Sequence, residues 1–323
     1  MKCFRNIVYV TEWSVDQGAA IERAVALARN NQADLTVIDV IPESLLGIAG
    51  IPGLAVKEDP VAGLMADHRE KLESLLAPHS EGPDVNIRLV VGKRFIEVIR
   101  AVLSDGFDLV LKPAQDPEWL DRLFGSDDMH LLRKCPCPVW LTRPGEKANY
   151  QNIVAAVDFD PDREDEDAQA LNTEIVDLAS SLAVSDFASL HLLHVWDAPE
   201  AGLVRVWADN PNAAEVQITE YKRTRHHRAL EALKRDLRAR LGKEQYEYLG
   251  PQTHLKKGVP GKVIPAMVAE MKADLVVMGT LARSGVPGLF IGNTAETVLE
   301  QLHCSVLAIK PPGFVSPVTN RTD

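Results

Sequence analysis

Residues 273–311 read ADLVVMGTLARSGVPGLFIGNTAETVLEQLHCSVLAIKP, and their pattern decides the fold. Leu275–Met278 is a short apolar run of the kind that forms a strand buried on both faces. Gly279 breaks it, and a loop with Gly285, Pro287 and Gly288 follows. Gly292-Asn293-Thr294 then opens a helix. Its apolar positions Ala295, Val298, Leu299 and Leu302 fall on one face. Val306–Ile309 is the next buried strand, stopped by Pro311. The unit is strand, glycine loop, helix, strand.

A glycine loop that ends on a helix amino terminus suits an anion. The first helical amides lack internal partners, and the helix dipole favours negative charge there. No Lys-Ser or Lys-Thr follows the glycines, so this is not a P-loop, and the spacing is not that of a G-x-G-x-x-G turn. The stretch resembles the G-x2-G-x9-G-[ST] signature of the universal stress proteins, with Gly279 at its first glycine and Gly292 at its last. Ala282 stands at the second glycine and Asn293 at the Ser/Thr position. The GNTAE helix start is most similar to the tandem, E-type members of that family.

Working outward, the same unit recurs. The strand begun by Asn6-Ile7-Val8 matches that begun by Asn152-Ile153-Val154. Ala33–Ile38 matches Ala188–Leu193, Gly92 matches Gly258, Asp108–Leu111 matches Asp274–Val277, and Cys137-Pro138-Val139 matches Cys304-Ser305-Val306. The offset changes only between elements, where insertions belong, so a whole domain is duplicated. Helical periodicity at Ile21, Ala24, Val25 and Ala28, and at Ile264, Met267, Val268 and Met271, places helices between the strands. Alternating strands and helices predict an α/β fold with parallel sheets covered on both faces. The expected architecture is two tandem doubly wound, Rossmann-like domains. The resemblance implies that each is a five-stranded parallel sheet of order 3-2-1-4-5. Residues 1–145 form the first domain, 146–312 the second, and 313–323 a polar tail expected to fray.

The 323-residue length suits two domains, and the 46% hydrophobic content suffices for two cores. A net charge of −11 argues against general nucleic-acid binding. No apolar run is long enough for a transmembrane helix. MKCFRNIVYV enters a strand with no signal-peptide pattern, so a cytoplasmic location is expected. Cys3, Cys135, Cys137 and Cys304 show no metal-type spacing and read as buried thiols.

In a doubly wound sheet a ligand sits at the carboxyl ends of the strands, where strand order reverses. In the second half that point joins Val157-Asp158 to Gly279. The resemblance implies an adenine-nucleotide site there, ATP with Mg²⁺. Asp158 would lie near the ribose and metal-phosphate end, and backbone near His194-Val195 would contact the base. Gly279, Ala282, Gly292, Asn293 and Thr294 would surround the phosphates, with the Ala282 methyl as an obstacle. The first half departs further: Glu12 replaces the Asp, Pro113 and Asp116 replace the first two glycines, and Gly125-Ser126 keeps the last pair across a loop one residue shorter. Asp127 and Asp128 would face any phosphate there, or serve as helix-dipole partners.

Three other features have ordinary readings. The acidic run from Asp158 to Asp167 has Arg163 and Gln169 where a calcium loop needs Gly and Glu, and reads as a solvated helix start. The basic segment Lys222–Lys243, with the stripe Leu230, Leu233, Leu237 and Leu241, reads as a helix with a charged outer face, lengthened upstream near Ala198–Ala214. His191 and His194 fall on opposite strand faces. No G-x-S-x-G, H-E-x-x-H or zinc pattern occurs, so no catalytic residue and no metal ligand is assigned. Two functions stand open. One is a stress-response protein acting by association, its halves packed as an intrachain pseudo-dimer and its chains able to form a homodimer. The other is an ATP-binding switch in the second half with slow hydrolysis. A small apolar or acyl ligand in the cleft is a third.

Overall fold

The computed structural model describes residues 4–46, 60–80, 82–115, 126–147, 149–163, 165–280 and 292–320. The first domain runs β1 (Asn6–Val10), α1 (Gly18–Asn31), β2 (Asp34–Ile41), α2 (Glu43–Leu46), α3 (Pro60–Leu76), β3 (Val85–Val91), α4 (Arg94–Asp105), β4 (Leu109–Pro113), α5 (Asp127–Lys134) and β5 (Val139–Thr142). The second runs β6 (Asn152–Val157), α6 (Glu166–Asp186), β7 (Ser189–Trp196), α7 (Pro199–Leu203), α8 (Pro211–Leu241), α9 (Lys243–Leu249), β8 (Gln252–Lys257), α10 (Pro260–Glu270), β9 (Leu275–Gly279), α11 (Asn293–Leu299) and β10 (Ser305–Ile309).

Both domains have the expected strand order, and they are fused. The strands form one sheet in the order β3-β2-β1-β4-β5-β10-β9-β6-β7-β8. All pairs within a domain are parallel, and β5 and β10 join antiparallel, with Leu307 opposite Trp140. Period-two alternation sends Ile7 and Tyr9 to one face and Val8 and Val10 to the other. On the first face α1, α3, α6 and α8 share a continuous core; on the second, α4, α5, α10 and α11 share another. Each core spans both domains.

Local chemistry explains individual elements. Pro265 lies inside α10 and cannot donate to the Gly261 carbonyl, and Gln301 Nε2 takes that carbonyl at 3.0 Å. Gly258 has φ +147°, and a Cβ there would meet Val263 Cγ2 at 2.8 Å. Its repeat partner Gly92 also has positive φ, so the corner after the third strand of each domain needs glycine for the same reason.

The tail differs from the frayed segment expected. Val318 packs half-buried against the second-face core, and Arg100 Nε donates to the Thr319 carbonyl at 3.4 Å. Apolar contact with the second-face core outweighs the polar composition there. The segment between the domains is also firmly held. Tyr150 is buried, its hydroxyl donates to Glu146 at 2.7 Å, and the Arg23 guanidinium lies 3.5 Å above its ring.

Candidate functional site

In the second domain, Ala156 is in register with Met278, so Asp158 and Thr280 emerge side by side where strand order reverses. Val157 is buried as the last residue of β6, and Asp158 beyond it is exposed. Asn172 on α6 fixes the turn by accepting from Asp158 N at 3.0 Å and donating to Asp158 O at 2.7 Å. Gly279 ends β9. A Cβ there would meet Leu171 Cδ2 at 2.8 Å, so close helix packing is one reason for this glycine. Gly292 N donates to Thr280 O at 3.0 Å, which draws the two loop glycines together but commits one of the amides expected to face a phosphate. Gly292 is the N-cap of α11, and Asn293 and Thr294 are exposed on its first turn. Val195 is buried with its side chain on the second face, and the neighbouring Trp196 carbonyl accepts from Gly258 N. Ala282 lies outside the described residues, as do Asp116 and Gly125.

The first domain fills the corresponding place with its own charges. Lys112 is wholly buried in β4, and its Nζ lies 3.1 Å from Glu12 Oε2 and 2.8 Å from Asp128 Oδ1. Arg94 Nη1 reaches Glu12 Oε2 at 2.7 Å, and Ser14 Oγ donates to Glu12 Oε1 at 2.8 Å. Asp128 Oδ2 accepts from Gln115 N at 2.8 Å. Two carboxylates and two cations balance. Burial alone would raise the Glu12 carboxyl, but the Lys112 and Arg94 charges override it and hold its pKa below the ordinary value. Ser126 caps α5 by accepting from Met129 N at 3.2 Å, so its structural counterpart in the second domain is the N-cap Gly292. The one-residue offset therefore falls after the helix start, and the loop before it is not shortened. The sequence expectation had paired Gly125 with Gly292.

Sequence reasoning missed a second feature that both domains share. Asp39, near the end of β2, is buried and accepts from Thr11 Oγ1 at 2.6 Å and Trp13 Nε1 at 3.0 Å. His68 of α3 approaches Asp39 with Nδ1 at 2.5 Å. The equivalent position on β7 is His194, wholly buried. Its Nδ1 donates to Val157 O at 3.1 Å, and its Nε2 lies 2.8 Å from His226 Nδ1. Phe159 lies against His194 and Trp196 stacks on His226. Each domain thus uses a histidine from its long second-layer helix to cover a buried polar residue beside the crevice. The repeat alignment could have exposed the Asp39 and His194 correspondence, because both lie within matched strands.

Lys310 was also missed. It follows β10 directly and is buried at the domain junction, donating to Leu132 O of α5 and, at 2.5 Å, to Thr280 Oγ1. Burial lowers its pKa to about 7. The described cysteines Cys135, Cys137 and Cys304 are free and buried, and burial raises Cys304 to about 12. Burial also raises Cys137, so Cys137 and Cys304 are thiols without thiolate character.

Fold and site together define a class: a duplicated, doubly wound α/β protein with a strand-order reversal in each domain, one of them lined by the chain's own buried ion pairs. The chain belongs to the universal stress protein family, whose model matches residues 4–143 and 149–310. It is 29% identical to universal stress protein E of Photorhabdus laumondii over 98% of both chains. It is 28% identical to the Escherichia coli protein of that name, again over 98% of each. Among solved structures, a functionally unknown protein of Pseudomonas aeruginosa matches with a TM-score of 0.65 and 24% identity, over 95% of this chain and 93% of that one. A universal stress protein of Archaeoglobus fulgidus matches with a TM-score of 0.59 and 17% identity, over 96% and 98%. These structural likenesses show the fold.

Proposed function

We propose that this chain is a cytoplasmic stress-response protein that acts by association, without turnover of a substrate. The observation that carries this reading is the filled first crevice. Lys112 is already neutralised by Glu12 and Asp128, and a phosphate brought there would meet two buried carboxylates. The stacked His226 and Trp196 beside His194 support the same reading for the base end of the second crevice.

A second reading rests on a specific contrast. At the same position the second domain has Met278 in place of Lys112, and Asp158 is exposed where Glu12 is buried. That contrast, a buried cation absent and a carboxylate exposed at the strand end, supports a site for ATP with Mg²⁺ acting as a switch. Thermal unfolding with increasing Mg-ATP separates the two readings. The association reading expects no rise in melting temperature and no nucleotide released by acid from fresh protein. A concentration-dependent rise that Gly292→Val abolishes would replace it with the switch.

A further inference from the structure

Where α4 and α5 meet on the second face of the first domain, the chain gathers positive charge that it does not balance. Phe95, in the first turn of α4, is buried, and His130 of α5 stacks on its ring with centroids 4.3 Å apart. Lys93 Nζ lies 5.0 Å and Lys134 Nζ 4.8 Å from the centre of the same ring. Two ammonium groups and an imidazole thus surround one phenyl group. The neighbouring arginines are neutralised, Arg94 by Glu12, Arg100 by Glu97 and Arg133 by Glu296. Lys93, Lys134 and His130 form no ion pair with a carboxylate among the described residues.

Each group registers the imbalance. His130 Nδ1 is buried with no hydrogen-bond partner among the described residues. Burial lowers the His130 pKa, and the charges of Lys134, Lys93 and Arg133 lower it further; Asp127 opposes them and does not offset them. Burial, then Lys93 and Arg133, lower the pKa of Lys134 in the same way. The α4 helix starts here with no side-chain cap from Lys93, so its dipole adds positive potential. All this occurs in a chain of net charge −11, so the excess is local. Cations held together without a counter-charge repel one another, and an anion set among them turns that repulsion into attraction.

From this we propose that the junction of α4 and α5 at Phe95 binds the phosphate group of a small ligand, held by Lys93 and Lys134 with His130 as a further donor. A phosphate dianion matches the two ammonium charges and keeps an oxygen free to accept from the imidazolium. A carboxylate would bring one charge to two lysines. The site is built from residues of the first domain only. It does not rest on the association reading, nor on whether the second crevice binds nucleotide.

Isothermal titration of the full chain with inorganic phosphate, at neutral pH and constant ionic strength, tests this. The expected result is saturable binding that Lys134→Gln and Lys93→Gln each weaken about tenfold or more, and that Gly292→Val leaves unchanged. Phosphate should also raise the melting temperature of the unaltered chain with concentration, and raise that of either lysine variant less. Sulfate stays a dianion throughout, so its pH dependence reports the protein alone. Its affinity should fall as pH rises from about 5 to about 7.5, as His130 loses its proton, and His130→Gln should flatten that profile. Circular dichroism of each variant checks that the fold is unchanged. No saturable heat overturns the proposal, as does binding that chloride abolishes at the same ionic strength. Binding lost with Gly292→Val and kept in both lysine variants overturns it too, because the anion would then sit in the second crevice. So does capture of a polyglutamate peptide without phosphate binding, since the cations would then dock an acidic protein.

Discussion

At the scale of single residues, the buried cations decide most. Lys112 is held between Glu12 and Asp128, and removing it leaves buried Asp128 without its cation and Glu12 with Arg94 alone. Lys112→Met installs the residue that the second domain has at this place, yet it should cost ~3–5 kcal/mol in denaturant unfolding, because the Asp128 carboxylate remains buried without a cation. Adding Asp128→Asn should recover part of that loss. The depressed Glu12 pKa works the other way in acid. Its stabilisation is complete above the unfolded value, about pH 4.3, and is lost as pH falls through the lower folded value. Lys310 shows the opposite linkage. Burial lowers its folded pKa to about 7, so above that pH the unfolded chain binds the extra proton and stability rises with pH. The rise should be visible between pH 7 and about 8.5, above which the raised cysteine pKa values oppose it. Lys310→Met should flatten melting temperature against pH in that window and raise stability at its lower end.

At the scale of elements, corners and caps set where each strand hands over to its helix. Gly258 and Gly92 turn the third strand of their domains into the next helix with positive φ. Gly258→Ala forces both an unfavourable backbone and a contact with Val263, and should cost ~1–3 kcal/mol, measured as a shift in denaturation midpoint at constant slope. Gly279→Ala strikes only the end of the Leu171 side chain, with no backbone penalty, and should cost less. The order of these two effects tests whether the signature glycine serves packing alone. Alpha-8 illustrates how tertiary contact rescues a polar helix. Only Leu230, Leu233 and Leu237 are buried along its 31 residues, and Asn210 caps its start by accepting from Ala213 N.

At the scale of the whole molecule, the two domains share one sheet and both cores. The antiparallel seam of β5 and β10 buries Trp140 against Leu307, and each face of the sheet has a core running through both domains. Arg23 bonds Asp186 at 3.0 Å, and Arg133 bonds Glu296 at 2.5 Å, fastening helices across the seam on opposite faces. Thermal unfolding of the full chain should therefore be a single transition with matching calorimetric and van't Hoff enthalpies. Residues 1–145 expressed alone should expose the β5 edge and Trp140, and should aggregate or dimerise through that edge. Two separate transitions, or a soluble monomeric fragment, would contradict this.

The sequence by itself determined the duplication, the alternation of strands and helices, and the position of each crevice. These follow from local periodicity and from glycines that end strands, and both are written in neighbouring residues. It did not determine what occupies a crevice. Lys112 reads as one polar residue in a strand until the fold brings Glu12, a hundred positions away, within 3.1 Å. The same holds for His194 and His226, which meet only because α8 folds back over β7. The polar composition of the tail likewise says nothing of the second-face core against which Val318 packs. Charge balance and burial are properties of side chains distant in sequence, and only the packed sheet with its two covered faces decided them.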